Sequence, residues 1–179
     1  CYPGRVPLVG VAVDPSLLVN APPARRAEWE LAALEVLDEH ELALPDGEFR
    51  LVVELSGPGA ALRFVPASGD PPIAYCISTE TLSPHLKEYA QICRRMTSLD
   101  EGADSPNLEV LDMAKKLAHD DGGRSVARVL SPLQADLSTG RRLFTLLFTL
   151  YVDTTNLRAF HLGHLRRDPA PAGAEPGEA

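Results

Sequence analysis

The strongest constraint on the fold is the apolar stretch Thr139–Tyr151, which reads TGRRLFTLLFTLY. A helical wheel leaves this stretch almost no polar side, and a helix that is apolar all round is normally buried on every side. It is too short to span a membrane, which takes about 20 apolar residues. We therefore predict a buried central helix capped by Ser138 or Thr139. A buried strand is the alternative, because threonine, phenylalanine and tyrosine also favour sheet.

The composition describes an acidic globular chain. Its 179 residues are enough for one domain with some residues left over. Because 45% of them are hydrophobic, the chain can form a core that needs neither disulfides nor metal. The 17 basic and 25 acidic residues give a net charge of −8, which argues against a nucleic-acid binder and against adhesion to anionic membranes. Three widely spaced cysteines favour a reducing compartment. We expect a soluble cytoplasmic protein and predict neither a cofactor nor a metal site.

Alternating apolar residues in the first half of the chain predict a small sheet. Val6–Val13 has the pattern of a strand, and three further short runs, centred on Leu51, Phe64 and Tyr75, alternate in the same way. Because tight turns join the last three, they read as an antiparallel meander. Adding Val6–Val13 gives a four-stranded sheet with one face covered by helices.

The first predicted helix is Arg25–Leu44, in which Trp29 is expected to anchor the core. Leu31 and Leu34 widen the apolar stripe, so a broad buried face is predicted. His40 is read as a helix-end residue favoured by the helix dipole rather than as a ligand.

Serine followed by proline marks two later helix starts, at Ser83-Pro84 and Ser105-Pro106, since serine caps a helix and proline fits its first position. The two aspartates and two glycines of Asp120–Gly123 are predicted to break the second of these helices. A short helix, Ser125–Leu130, is expected to follow the break.

Together these elements predict a single α+β domain over residues 1–152. It consists of a small antiparallel sheet of three to four strands covered by helices, with a buried apolar C-terminal helix. Residues 153–165 are expected to form a C-terminal extension. Residues 166–179, RRDPAPAGAEPGEA, contain no large apolar residue and predict a disordered tail.

Asp112, Lys116 and His119 are site candidates because their i, i+4, i+7 spacing places them on one helix face. Seven residues rise about 10.5 Å along a helix, so Asp112 cannot orient His119 as a catalytic dyad. Asp120 is a further candidate, since a carboxylate beside His119 favours an acid–base role. The alternative is a solvated face with an Asp112–Lys116 ion pair and a histidine that caps the helix.

Arg141 and Arg142 are candidate ligand-binding residues. They open the central helix, where the helix dipole disfavours cations. One form of compensation is a structural ion pair with Asp112, Asp120 or Asp121. The other is a bound anion held by the arginine forks and free backbone N–H groups. The ion pair is the simpler of the two.

The remaining motifs predict no chemistry. His161 and His164 have a spacing that suits a shared metal, but no third ligand accompanies them in the sequence. The chain contains no Walker loop, no Gly-x-Gly-x-x-Gly, no His-Glu-x-x-His and no Gly-x-Ser-x-Gly.

Three stretches resemble the uncharacterised bacterial family UPF0262. Leu108–Gly122 carries an Asp-Met step followed by basic residues, a histidine and a glycine, and Thr139–Leu146 carries an Arg-Arg-Leu-Phe-Thr-Leu run. Lys87–Cys93 is similar too. The resemblance covers about Val6–Tyr151 and departs from the family pattern at Gly140, where alanine is expected. It implies a small bacterial cytoplasmic protein and carries over no reaction and no catalytic residues.

Two classes of function follow, and they leave open whether the chain is an enzyme. The first is a non-enzymatic cytoplasmic interaction or regulatory module with a protein partner or a self-association surface. It predicts an exposed apolar patch. The second is a small enzyme or anion/metabolite sensor that uses His119, Asp112 and Arg141. It predicts that these side chains converge in one concave site.

Overall fold

The computed structural model describes residues 8–98 and 106–154. The strands are β1 (Leu8–Val13), β2 (Phe49–Ser56), β3 (Gly59–Pro66) and β4 (Ile73–Ser78). The helices are α1 (Pro15–Leu18), α2 (Pro23–Asp38), α3 (Thr79–Ser98), α4 (Pro106–Val129) and α5 (Leu137–Tyr151), with a 3-10 turn at Ser131–Leu133. The predicted tail and the pair His161 and His164 lie outside the described residues, so the domain boundaries stay a prediction.

The four strands form one mixed sheet in the order β1-β2-β3-β4. The meander β2-β3-β4 pairs antiparallel, as predicted. β1 runs parallel to β2, because α2 carries the chain back along the sheet before β2 begins. The α+β fold with a four-stranded sheet is confirmed, and its β1 edge makes the sheet mixed where a purely antiparallel one was expected.

The core lies between the sheet and the helices. The inward-facing residues of the strands are fully buried at Leu51, Val53, Leu62, Phe64 and Ile77. α5 packs against both α2 and α4, and α3 packs against α4. The fully buried large residues of α5 are Leu143, Phe144, Leu146, Leu147 and Phe148. The prediction of a buried central helix is confirmed. Among the described residues, no helix combines the length and the apolar character that a membrane span requires.

The cap of α5 is Asp136, and the prediction of Ser138 or Thr139 was wrong. The Asp136 carboxylate accepts a hydrogen bond from the backbone N–H of Thr139 at 2.8 Å. Thr139 lies inside the first turn, where its hydroxyl accepts from the backbone N–H of Glu41 at 2.7 Å. That bond ties the segment after α2 to the start of α5.

α2 presents a narrower buried face than the sequence predicted. Trp29, Ala32 and Val36 are buried at i, i+3 and i+7, whereas Leu31 and Leu34 are 52% and 53% exposed. The expectation of a broad buried face was wrong, because α2 packs mainly against α5 and β1, and within the described residues the side of Leu31 and Leu34 stays half exposed.

α2 also ends at Asp38, before the predicted end at Leu44. The chain turns to extended structure at Glu39, and the backbone N–H of Ala43 then bonds to the carbonyl of Leu133 at 2.7 Å. His40 is buried beyond the helix end, where its Nε2 accepts from the backbone N–H of Leu8 at 3.1 Å. These hydrogen bonds to residues distant in sequence take the place of the helical hydrogen bonds that would extend α2 to Leu44.

α3 begins at Thr79, more than a turn before the predicted start at Ser83-Pro84. The hydroxyl of Ser78 accepts from the backbone N–H of Thr81 at 3.2 Å and supplies the cap. Pro84 therefore lies inside the helix. There it removes a single backbone donor, which the helix tolerates because it continues for almost four turns beyond it.

α4 runs unbroken from Pro106 to Val129, so the predicted break at Asp120–Gly123 was wrong. Glycine costs a helix about 1 kcal/mol relative to alanine, but it does not forbid one. Both glycines are buried against α5, and a methyl group at Gly122 would lie 2.5 Å from the ring of Phe144. The two glycines therefore serve close helix packing rather than a turn.

Candidate functional site

Three glycines set the distance between α4 and α5 at the point where the helices cross. A Cβ atom at Gly123 would lie 2.9 Å from the backbone nitrogen of Arg141. A Cβ atom at Gly140 would lie 2.3 Å from the carbonyl oxygen of Gly123. Since neither position has room for a side chain, the two backbones approach closely. His119 lies on α4 about one turn before Gly122, and this close approach brings it against α5.

His119 is held by side chains of α5 at both ring nitrogens. Its Nε2 lies 2.8 Å from the hydroxyl oxygen of Thr145, and the Arg141 Nε–H donates to its Nδ1 at 3.4 Å. Because Nδ1 accepts a hydrogen bond, it carries no proton. These partners assign a neutral imidazole whose proton is on Nε2 and is donated to Thr145.

Aromatic rings pack against His119 on the side that faces the core. The ring of Tyr89 stacks on His119 with centroids 5.5 Å apart, and the ring of Phe144 lies 5.9 Å away. Phe148 makes an edge contact with Tyr89 at 4.8 Å. Burial raises the pKa of Tyr89 well above its ordinary value, so the phenol stays protonated. The histidine therefore has one apolar side and one side that meets charged groups.

The two arginines of α5 are compensated by carboxylates of two other elements. The Nε of Arg141 lies 3.2 Å from a carboxylate oxygen of Asp120. Arg142 pairs with Glu39 at the end of α2 and donates to the hydroxyl of Ser138. Of the two predicted forms of compensation, the ion pair is thus present for both arginines. Asp120 was among the candidate partners, and Glu39 was not.

A pocket of about 470 Å³ opens where these groups meet. One wall is acidic and comes from the end of α2, and the other is polar and cationic and comes mainly from α5. The lining residues are Glu35, Asp38, Glu39, His119, Ser138, Arg141, Arg142 and Thr145. We name this cavity the α2–α5 pocket.

The model of the uncharacterised protein family UPF0262 matches residues 5–153. The chain belongs to this family. A UPF0262 protein of Methylobacterium radiotolerans is 22% identical over 147 residues, covering 80% of this chain and 92% of the relative. UPF0262 proteins of Chelativorans sp. and Rhodopseudomonas palustris are each 26% identical, covering 80% of this chain and 92% and 91% of the relatives. No solved structure matches the chain.

The three stretches on which the resemblance to UPF0262 rests meet at one place in the fold. Tyr89 belongs to Lys87–Cys93, His119 belongs to Leu108–Gly122, and both contact residues of Thr139–Leu146. These stretches lie on three different helices. Their common meeting point is His119 beside the α2–α5 pocket.

Two of the candidate residues of this UPF0262 chain lie away from the pocket. Asp112 and Lys116 form an ion pair at 2.8 Å with both side chains half exposed or more. Such a pair stabilises a helix by a few tenths of a kcal/mol. Neither residue lines the pocket. Asp112 and Lys116 therefore do not join His119 at the pocket, and Asp121 likewise pairs elsewhere, with Arg124 at 2.6 Å.

The sequence alone did not single out several residues of the site. Thr145 and Tyr89 lie in helices whose buried faces are mainly apolar, and the acids of the α2 wall lie towards the end of a helix with a polar side. One signal was present, because the sequence predicts that Arg141 and Arg142 open the helix, where cations need a partner. The structure begins α5 at Leu137 and so places both arginines in the second turn. No sequence pattern indicates that this partner lies on α2.

Two other depressions on the described part of the UPF0262 chain lack this combination of groups. One lies between α3 and Tyr151 and is lined by Leu82, Leu86 and Ala90, without a histidine or an acid. A second runs beside β1 and Trp29 and is mainly apolar. Within the described residues, no group of three or more histidine, cysteine, aspartate or glutamate side chains has a geometry suited to a metal ion.

Proposed function

We propose that this chain is a non-enzymatic cytoplasmic regulatory module that binds a small dipolar metabolite in the α2–α5 pocket. A dipolar metabolite here means one that carries both an anionic group and an amine. The observation that supports the proposal most is the opposition of the two walls. Arg141 and Arg142 line one side of the pocket, and Glu35, Asp38 and Glu39 line the other.

The acids of one wall stand where their own helix end disfavours them. They belong to the C-terminal end of α2, where the dipole is negative, and the arginines of the other wall stand in the second turn of α5. Glu39 pairs with Arg142 across the pocket, so part of this charge is compensated within the protein. Glu35 and Asp38 add further acidic charge to the α2 wall, which favours a cationic group on the ligand.

The charge of the lining argues for a dipolar ligand over a simple anion. Three carboxylates and two guanidinium groups give the walls a formal charge of −1 with His119 neutral. A pure anion would be attracted by the arginines of one wall and repelled by the carboxylates of the other. A ligand with both charges can bring its anionic group to Arg142, whose five donors can serve it as well as Glu39, and its amine to Asp38.

The geometry of His119 supports binding rather than catalysis. A general base needs a lone pair that can reach the substrate. The Nδ1 lone pair already accepts from Arg141, and the Nε2 proton is directed to Thr145. Asp112, the third residue of the enzyme hypothesis, lies outside the pocket. His119 instead fixes the positions of Arg141 and Thr145, which face the ligand.

A thermal-shift screen tests the proposal. The panel contains α-amino acids, aminoalkyl phosphates, simple carboxylates, inorganic phosphate and alkyl diamines. A dipolar compound at 100 times its Kd stabilises the native state by about 2.7 kcal/mol, which raises Tm measurably. We expect the compounds that carry both charges to raise Tm more than their anion-only or amine-only analogues.

Arg141→Gln is the test variant, and Arg50→Gln on the outer side of β2 is its control. The control removes an equally long cationic side chain from an exposed site far from the pocket. The shift should disappear in the first variant and persist in the second. A panel without any shift, or a shift of equal size in both variants, would count against a ligand in this pocket.

A further inference from the structure

α4 carries a row of exposed apolar side chains on the side that faces away from the core. Val110, Met113 and Leu117 are 67%, 63% and 58% exposed. Their spacing, i, i+3 and i+7, places them on one line along the helix. The opposite side of the same helix packs against α3 and α5. We refer to these three residues as the α4 row.

Two opposite charges flank the α4 row on one side. Glu109 and Lys116 stand seven residues apart, each directly before an apolar residue of the row. Seven residues are close to two helical turns, so the two charges lie on one line parallel to the row. The acid is near one end of the row and the base is near the other.

This pattern is complementary to itself when a second copy lies antiparallel. With Met113 at the two-fold axis, Val110 of one helix falls beside Leu117 of the other. The same rotation brings Glu109 of each copy beside Lys116 of the other, which gives two symmetric ion pairs. In a parallel two-fold pair the charged lines of the two helices would lie on opposite sides of the interface, so Glu109 and Lys116 could not pair with each other.

We propose that two copies of the chain associate through the α4 rows as an antiparallel helix pair centred on Met113. The inference does not depend on the ligand pocket. The residue that α4 contributes to the pocket is His119, which lies on another side of that helix. Lys116 also pairs with Asp112 of its own helix at 2.8 Å. The three donors of the ammonium can serve both this carboxylate and that of Glu109 in the second copy. Three apolar side chains from each copy and two ion pairs in total make a weak dimer.

Sedimentation velocity from micromolar to millimolar concentration tests the proposal. The parent chain should shift from monomer towards dimer as its concentration rises. Met113→Glu places two carboxylates at the axis and should weaken the dimer by about tenfold or more, a change of about 1.4 kcal/mol. Leu34→Glu is the control, since Leu34 is an apolar residue of α2 that is 53% exposed. It should leave the association unchanged.

A charge exchange then tests the antiparallel register. Glu109→Lys and Lys116→Glu should each weaken the dimer, because each opposes two like charges. The double variant should restore association to the parent level. A chain that is monomeric at every concentration would overturn the proposal and would leave the α4 row to another segment of the chain or to a different protein. Association that survives Met113→Glu, or that Leu34→Glu disrupts equally, would also overturn it.

Discussion

Replacing Gly140 by alanine tests the helix crossing on which the candidate site is built. The added Cβ atom would lie 2.3 Å from the carbonyl oxygen of Gly123 and 2.9 Å from the Cβ of Ala127. Ordinary contacts begin near 3.4 Å. Because the nearest atom belongs to the backbone of α4 and cannot rotate away, the two helices must separate by about 1 Å.

The expected change in the free energy of unfolding combines a small gain in helix propensity with a larger loss from overpacking. Alanine gains about 1 kcal/mol over glycine inside a helix. Overpacking a tight interface costs about 1–3 kcal/mol, and rigid backbone neighbours favour the upper end of that range. A separation of 1 Å also forfeits a quarter to a half of each dispersion contact across the crossing. We expect Gly140→Ala to lower the free energy of unfolding by about 2 kcal/mol, or Tm by about 4–8 °C.

Urea unfolding followed by far-UV circular dichroism measures this change. Gly57→Ala is the matched control, because no atom lies within 4 Å of its added Cβ. The control should change the free energy of unfolding by less than about 0.5 kcal/mol or stabilise slightly. If Gly140→Ala is as stable as the parent or more stable, then α4 and α5 are not packed this closely, and the positions of Arg141 and His119 argued from that packing are wrong.

Three further predictions concern the cap, an aromatic residue and the histidine. Asp136→Ala should lower the free energy of unfolding by about 1 kcal/mol in the same assay because α5 loses its cap, whereas Asp136→Asn should recover most of it. Above pH 10 the unfolded chain releases the phenol proton of Tyr89 while the buried phenol keeps it, so stability should fall as pH rises. Tyr89→Phe should reduce that slope by up to about 1.4 kcal/mol per pH unit, and an unchanged slope would contradict the burial argument. Nitrogen NMR of the imidazole of His119 should show a bare Nδ1 and a protonated Nε2, and the other tautomer would remove the Arg141 contact.

Much of the fold follows from periodicity. The run Leu143–Tyr151 has almost no polar side, so only burial on all sides removes its apolar surface from water. The alternation around Leu51, Phe64 and Tyr75 fixes which residues face the helices. These signals are strong because they follow the dominant favourable term in folding, the removal of apolar surface from water.

The errors share one physical cause, which is tertiary contact that overrides local preference. Gly122 and Gly123 look like a helix break, but the ring of Phe144 and the backbone of Arg141 occupy the space their side chains would need. Leu31 and Leu34 look buried, but among the described residues no element packs over that side of α2, and both side chains are about half exposed. Propensity describes a residue alone, and these positions are decided by a partner distant in sequence.

The candidate site was predictable only in part for the same reason. His119, Asp120 and Arg141 were named from helix-end chemistry, and the structure brings these three together. Asp112 was named from the same helical face but remains at the surface. Glu39 is absent from the predicted set because its pairing with Arg142 joins helices that no local pattern connects. The close approach of α4 and α5 creates the site, and that approach depends on glycines that read as a turn.

The most direct test of a dipolar ligand is calorimetric titration of the compound that raises Tm most. It should be measured with the parent chain, with Arg142→Gln and with Asp38→Asn, which remove one charge from each wall of the pocket. Each variant should bind about tenfold more weakly, a loss of about 1.4 kcal/mol. An analogue that lacks the amine should bind Asp38→Asn no more weakly than it binds the parent. Equal affinity of the dipolar compound for all three proteins would contradict the account.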